Sequence, residues 1–215
     1  MATYVLIHGG GDVAWHWHLL AGELRSRGHD VVAPDLPYKD DAAGLPEYAD
    51  TVVDAIGDRR DLVVVAHSFG AFTAPLVCDR APVDLLVLLA GMVPAPGERP
   101  GDWWANTGYR QPPHPDPVAT FLHDVPPDLA AEAVRRWRDQ SSTPWERPWP
   151  LAAWPAVPTR FLLCRDDRVF PAAFLRRVVR ERLGIAPDEI DGGHYVALSR
   201  PKELAARLEA YRAER

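Results

Sequence analysis

Short apolar runs recur along the chain and alternate with segments of helical periodicity. The runs predict buried strands because they are brief, apolar and bounded by glycine, proline or aspartate. Five of them are clear and a sixth is weaker: TYVLIHG, VVAPD, DLVVVAH, VDLLVLLA and TRFLLCR, followed by APDEI.

Between these runs, apolar residues recur three or four positions apart, which predicts helices with one buried face. The three series are Trp17, Leu20 and Leu24; Tyr48, Val52, Ala55 and Ile56; and Leu204, Leu208 and Tyr211. Strands that alternate with helices in this way are typical of an α/β fold with a doubly wound, mainly parallel sheet.

Residues 92–158 interrupt this alternation. They hold 14 of the 22 prolines and six of the eight tryptophans, with one clear helical pattern, PPDLAAEAVRRWRDQ. We interpret them as a small cap inserted into a single domain that spans residues 1–215. The six tryptophans either line an apolar pocket or pack the cap on the sheet, and we expect packing for at least half: Trp103, Trp104, Trp137, Trp145, Trp149 and Trp154.

Size, charge and cysteine content narrow the function. A chain of 215 residues fits one domain with an insertion. The net charge of −6 and the lack of a lysine and arginine run argue against a nucleic-acid partner. This charge better fits a small neutral or cationic partner. The start, MATYVLIHGG, lacks the features of an export signal and is too short an apolar run to span a bilayer. Cys78 and Cys164 have no metal-ligand spacing, so we expect reduced thiols and a cytoplasmic location. The oligomeric state is left open.

The stretch LVVVAHSFGAF places Ser68 directly after a predicted strand. A serine on a sharp strand-to-helix turn stands clear of the sheet, and small residues two positions before and after it let strand and helix pass closely. Ala66 and Gly70 occupy those positions, with alanine where glycine is usual. The pattern favours a nucleophile, although serine is also a common helix cap.

A serine nucleophile needs a base that is itself held by an acid. DGGHYVALSRP places His194 in a glycine-flanked loop between the last short strand and the last helix. LLCRDDRVFP places Asp166 and Asp167 just past the preceding strand. The residues alone predict His194 as the base and leave the two acids as alternatives.

The glycine loop after the first strand, in IHGGGDVAWHW, is a candidate oxyanion hole. Its backbone N–H groups can approach a ligand closely, and we expect those of Gly10 and Phe69 to hold a developing oxyanion. A phosphate-binding loop is the alternative, but the GxGxxG and Walker patterns are absent. His114 and His123 lack ligand spacing, so no metal and no cofactor are expected.

Nearly the whole chain resembles the α/β-hydrolases, within them the small esterase and hydroxynitrile-lyase group that includes plant methyl-salicylate esterases and bacterial relatives. The stretches that carry the resemblance are YVLIHGGGDVAWHWHLLAGELRSRGHDVVAPDLP, VVVAHSFGAF, FLHDVPPDLAAEAVRRWRDQS, LLCRDDRVFP and DGGHYVALSRP. The resemblance implies the α/β-hydrolase fold and a triad in the order serine, acid, histidine. In such hydrolases the acid commonly stands four residues before a proline that opens the next helix, and this spacing favours Asp167 over Asp166. By the same resemblance, His67 in the nucleophile turn and Asp35 in the turn after the second strand have structural roles.

The same resemblance implies cofactor-free hydrolysis of a small carboxylic ester through an acyl-enzyme. Cyanohydrin cleavage on the same triad is an alternative. Lyases of this group carry a threonine beside the oxyanion-loop histidine and a lysine after the triad histidine, whereas this chain has Gly9 and Tyr195 there. A small-molecule receptor with little turnover is the other alternative.

Overall fold

Six strands form the framework of the computed structural model, which describes residues 1–110 and 116–214, so that His114 lies outside the described residues. The strands are β1 Thr3–Ile7, β2 Asp30–Val32, β3 Leu62–His67, β4 Val83–Leu89, β5 Thr159–Cys164 and β6 Asp188–Ile190. Each overlaps one of the six predicted runs, including the weaker sixth, although β2 shares only Val31 and Val32 with the predicted VVAPD.

The six strands make one parallel sheet in the order β2-β1-β3-β4-β5-β6. From β1 the chain adds β2 on one side, and it then adds β3, β4, β5 and β6 in turn on the other side of β1. This order confirms the predicted doubly wound sheet. Because all strands run the same way, the loops that follow β1, β3, β5 and β6 meet at one edge of the sheet.

Helices cover both faces of the sheet. They are α1 His18–Ser26, α2 Leu45–Ile56, α3 Ala74–Cys78, α4 Trp103–Asn106, α5 Pro117–Phe121, α6 Pro127–Arg136, α7 Thr143–Glu146, α8 Ala172–Leu183, α9 Val196–Ser199 and α10 Pro201–Ala213, with 3₁₀ turns at Ala14–Trp17, Ser68–Phe72 and Pro100–Asp102. One buried apolar cluster joins the sheet to α2, α3 and α8, and a second joins it to α1, α9 and α10. Along β3, Val64 belongs to the first cluster and Val65 to the second, which explains why this strand is apolar at successive positions.

Between β4 and β5, the residues that the structure describes form the four short helices α4 to α7. The helical pattern predicted in this segment forms α6, which ends at Arg136 because Trp137 is extended, with φ −56° and ψ 145°. The indole N–H groups of Trp103 and Trp149 donate to the carbonyl oxygens of Val93 and Phe72 at 2.9 and 3.0 Å, and both rings are buried. These two tryptophans therefore pack the segment. Its role as a cap within a single domain stays a prediction.

The state of the cysteines and the length of the helices are relevant to the predicted cytoplasmic location. Cys78 and Cys164 are free thiols. Burial raises the pKa of Cys78 to about 12 and raises that of Cys164 well above its ordinary value, which favours the protonated thiol at both positions. None of the described helices has the length and apolar character needed to cross a membrane. The cytoplasmic location stays a prediction.

Candidate active site

Ser68 lies on a strained turn at the carboxyl end of β3. Its φ is +51°, in the left-handed region that residues other than glycine rarely adopt. Gly70 permits the turn, since a Cβ there would lie 2.7 Å from the carbonyl oxygen of His8 and 2.9 Å from that of Ile7. The backbone at Gly70 thus packs closely against the end of β1, and Ser68 lies at the edge of the sheet where the loops meet.

His194 and Asp167 are brought together at the same edge, from the loops after β6 and β5. The Nδ1 atom of His194 lies 2.8 Å from Oδ2 of Asp167, and both side chains are almost fully buried. The other carboxylate oxygen, Oδ1, accepts hydrogen bonds from the backbone N–H groups of Val169 and Phe170 at 2.7 and 2.9 Å. An ionised carboxylate only accepts, so Nδ1 carries the proton and Nε2 is left as a base.

The carboxylate of Asp166 contacts Gly192 rather than His194. Its Oδ2 accepts a hydrogen bond from the backbone N–H of Gly192 at 3.1 Å, and the N–H of Asp166 donates to the carbonyl oxygen of Gly192. Its carbonyl oxygen lies 2.9 Å from Nε2 of His123. Asp166 and His123 therefore have turn-stabilising contacts, and Asp167 is the acid that contacts His194.

Gly10 and Phe69 are neighbours, as the oxyanion-hole prediction requires. A Cβ built on Gly10 would lie 3.5 Å from Cβ of Phe69. Each of these two residues carries a backbone N–H group. Two such donors on adjacent loops can stabilise negative charge on a carbonyl oxygen.

His67 and Asp35 have structural contacts. Nε2 of His67 donates to the carbonyl oxygen of His194 at 3.0 Å, and the two rings lie 4.5 Å apart between centroids. Burial and the neighbouring His194 lower the pKa of His67. Oδ1 of Asp35 accepts from the backbone N–H of Ala14 at 2.6 Å, which fixes the start of a 3₁₀ turn.

The structure shows a contact at the site that the sequence did not predict, a hydrogen bond between Asp12 and Tyr195. Asp12, 1 % exposed, accepts a hydrogen bond from the Tyr195 hydroxyl at 2.5 Å. Burial alone would raise the pKa of Asp12, but His67, His16 and Tyr195 outweigh it and lower the pKa to about 2. A single acid in a glycine loop carries no sequence signal of burial, and its partner lies 183 positions away.

Aromatic rings surround His194 and line a groove beside Gly10. Phe121 and Phe170 place their rings 5.5 and 5.4 Å from the His194 ring. The groove has a volume of about 310 Å³ and is lined by Gly10, Gly11, Pro117, Phe121, Trp137, Arg138 and Tyr195. Among the described residues, no three histidine, cysteine or acidic side chains are placed to hold a metal ion.

Comparison with known proteins agrees with the fold. Residues 4–207 match the family model described as Alpha/beta hydrolase family. Norfluorocurarine synthase 1 from Strychnos sp is 25% identical over 96% of this chain and 93% of its own length. Probable esterase PIR7A from Oryza sativa subsp. indica is 28% identical over 95% and 94%. The crystal structure of polyneuridine aldehyde esterase superimposes with a TM-score of 0.83 at 21% identity, covering 98% of this chain and 99% of that one.

Proposed function

This chain belongs to the alpha/beta hydrolase family, and we propose that it hydrolyses a small carboxylic ester through an acyl-enzyme on Ser68. Esterases among the relatives support ester hydrolysis as the reaction class. The observation that carries the proposal is the 2.8 Å contact between His194 and Asp167 at the edge where the Ser68 turn lies. A base held by a buried acid is what a serine hydroxyl needs in order to attack.

In the proposed cycle, Oγ of Ser68 attacks the acyl carbon while Nε2 of His194 accepts the hydroxyl proton. The N–H groups of Gly10 and Phe69 stabilise the oxyanion, and Asp167 keeps the imidazole in the required tautomer. The C–O bond then breaks and His194 gives the proton to the leaving alcohol. Water repeats the attack on the acyl-enzyme and releases the carboxylic acid, which regenerates Ser68. No cofactor takes part in these steps.

The groove beside Gly10 supports a small ester with an apolar or aromatic group. Its walls include the rings of Phe121, Trp137 and Tyr195. A volume of about 310 Å³ lies at the lower end of the range for small-molecule sites. We therefore expect short-chain aryl esters to be better substrates than long-chain ones.

Cyanohydrin cleavage is disfavoured by the surroundings of Gly9 and Tyr195. A Cβ on Gly9 would lie 3.0 Å from Oδ2 of Asp12 and 3.2 Å from Cβ of Ser68, so a threonine side chain would fit only if these neighbours moved by a few tenths of an ångström. Burial, followed by the charge of Asp12, raises the pKa of Tyr195 well above its ordinary value. Tyr195 is therefore neutral and supplies no cation to a departing cyanide.

We predict readily measured hydrolysis of short-chain aryl esters and negligible cyanide release from mandelonitrile. Loss of a cationic partner forfeits stabilisation of about 3 kcal/mol, roughly a hundredfold in rate. Both substrates are assayed with one enzyme preparation, with a correction for spontaneous cyanohydrin decay. Faster cleavage of mandelonitrile than of every ester tried would favour the lyase, and one burst of product without steady turnover would favour a receptor.

A further inference from the structure

A second buried carboxylate, that of Asp12, lies behind the Ser68 turn. The position that a Cβ of Gly9 would occupy is 3.0 Å from Oδ2 of Asp12, 3.2 Å from Cβ of Ser68 and 3.3 Å from Nδ1 of His67. Asp12 also lines one small pocket together with His67, His194 and Tyr195. The carboxylate is thus part of the packing around the proposed triad, although Asp167 already holds His194.

Among the described residues, the side-chain carboxylate of Asp12 faces Tyr195, His16 and His67, which all lie at this site. Oδ1 accepts from the Tyr195 hydroxyl at 2.5 Å and lies 3.7 Å from Nε2 of His16. Oδ2 lies 3.8 Å from Nδ1 of His67. A carboxylate removed from water is costly unless such groups compensate it, so its position and theirs are linked.

Two of these partners are connected to the main chain of His194. Tyr195 is the next residue along the chain. Nε2 of His67 donates to the carbonyl oxygen of His194 at 3.0 Å, and because a carbonyl oxygen only accepts, Nε2 must carry the proton. The opposite side of the His67 ring faces Asp12.

We propose that Asp12 is a positioning residue for ester hydrolysis: by accepting the hydrogen bond of the Tyr195 hydroxyl, it fixes the main chain that carries the adjacent His194. The inference rests on the proposed function. Asp167 orients the imidazole ring at Nδ1, and Asp12 keeps the backbone beneath that ring in place. Both are needed, since a shift of about 1 Å in a catalytic group can cost roughly a hundredfold in rate.

Asp12→Asn and Tyr195→Phe test the proposal. Asparagine keeps the size and one oxygen acceptor but removes the charge, and phenylalanine removes the hydroxyl while keeping the ring on the groove. For each variant we expect kcat for an aryl ester to fall about 10- to 100-fold while KM changes less than about threefold. The double variant should be little worse than the worse single variant, because both changes remove the same charge-assisted hydrogen bond between the Tyr195 hydroxyl and a carboxylate.

The matched control is Asp35→Asn, which removes an exposed acid whose oxygen contacts a backbone N–H of the same loop region, at Ala14. Its kcat should stay within about twofold of wild type. A rise in KM at constant kcat in Asp12→Asn, or unchanged kinetics in a folded Asp12→Asn protein, would overturn the proposal. If Asp12→Asn fails to fold, the Tyr195→Phe result decides by the same criteria.

A spectroscopic readout makes the test independent of turnover. The proton on Nδ1 of His194, bonded to Asp167, is followed by NMR in protein labelled with ¹⁵N-histidine. We expect its resonance to shift or broaden in Asp12→Asn and in Tyr195→Phe but not in Asp35→Asn. An unchanged resonance in the first two variants contradicts positioning through His194, even where kcat falls. Absence of Ser68-dependent turnover would instead contradict the proposed function and leave this readout intact.

Discussion

Ser68→Ala should abolish nearly all ester turnover, with kcat reduced by roughly 10⁴- to 10⁶-fold. Without Oγ no acyl-enzyme forms, and the remaining groups support only slow attack by water. Serine already occupies φ +51°, and alanine differs from it by one oxygen, so the turn and the fold should persist. The measurement is steady-state hydrolysis of a short-chain aryl ester by wild type and variant.

The control for Ser68→Ala is the folded state of the variant. Its circular dichroism spectrum and thermal midpoint should match those of wild type, which ties the lost activity to the missing hydroxyl. Near-wild-type hydrolysis by a protein that passes this control would remove Ser68 from the mechanism, and the esterase assignment on this site with it.

Asp167→Asn should lower kcat by about 10⁴-fold. Asparagine can keep the acceptor for the backbone N–H groups of Val169 and Phe170 through its amide oxygen. Its amide nitrogen then faces Nδ1 of His194 as a donor, and the imidazole moves its proton to Nε2. The base for Ser68 is thereby lost although the geometry persists, which kcat at constant pH will measure.

Asp166→Asn is the matched control because it makes the same chemical change one residue earlier. Asp166 is exposed and contacts Gly192 rather than His194. We expect its kcat to stay within a few-fold of wild type, since a surface substitution of this kind has a small effect. A reversed order of severity in the two variants would assign the acid role to Asp166.

The strands, and with them the positions of the site loops, could be predicted from the sequence because a strand that is buried on both faces of the sheet is apolar at successive positions. Strand β3 is apolar at successive positions, and Ser68 follows its last residue. In a parallel sheet the residues that follow strands meet at one edge, so His194 and the acids could be predicted to lie near Ser68 before any contact was known.

Other features depend on contacts that no local pattern records. The residues alone left Asp166 and Asp167 as alternatives, and only the family resemblance favoured Asp167; the contact itself depends on a turn in which one carboxylate oxygen of Asp167 accepts the backbone N–H of Val169 while the other faces His194. The end of α6 at Arg136, four residues short of the predicted pattern, accompanies a hydrogen bond from the N–H of Arg138 to the carbonyl oxygen of Gly11. The contact between Asp12 and Tyr195 joins two ends of the chain.

Stoichiometric labelling by diethyl p-nitrophenyl phosphate tests the central claim, nucleophilic attack by Ser68, most directly. Oγ of Ser68 would displace p-nitrophenolate and form a stable phosphotriester, with its proton passing to His194. Mass spectrometry should then show one diethylphosphoryl group per chain, on the peptide that contains Ser68, with esterase activity lost in proportion and no labelling of Ser68→Ala. Inactivation with the label on another residue, or full esterase activity after Ser68 is labelled, would contradict the account.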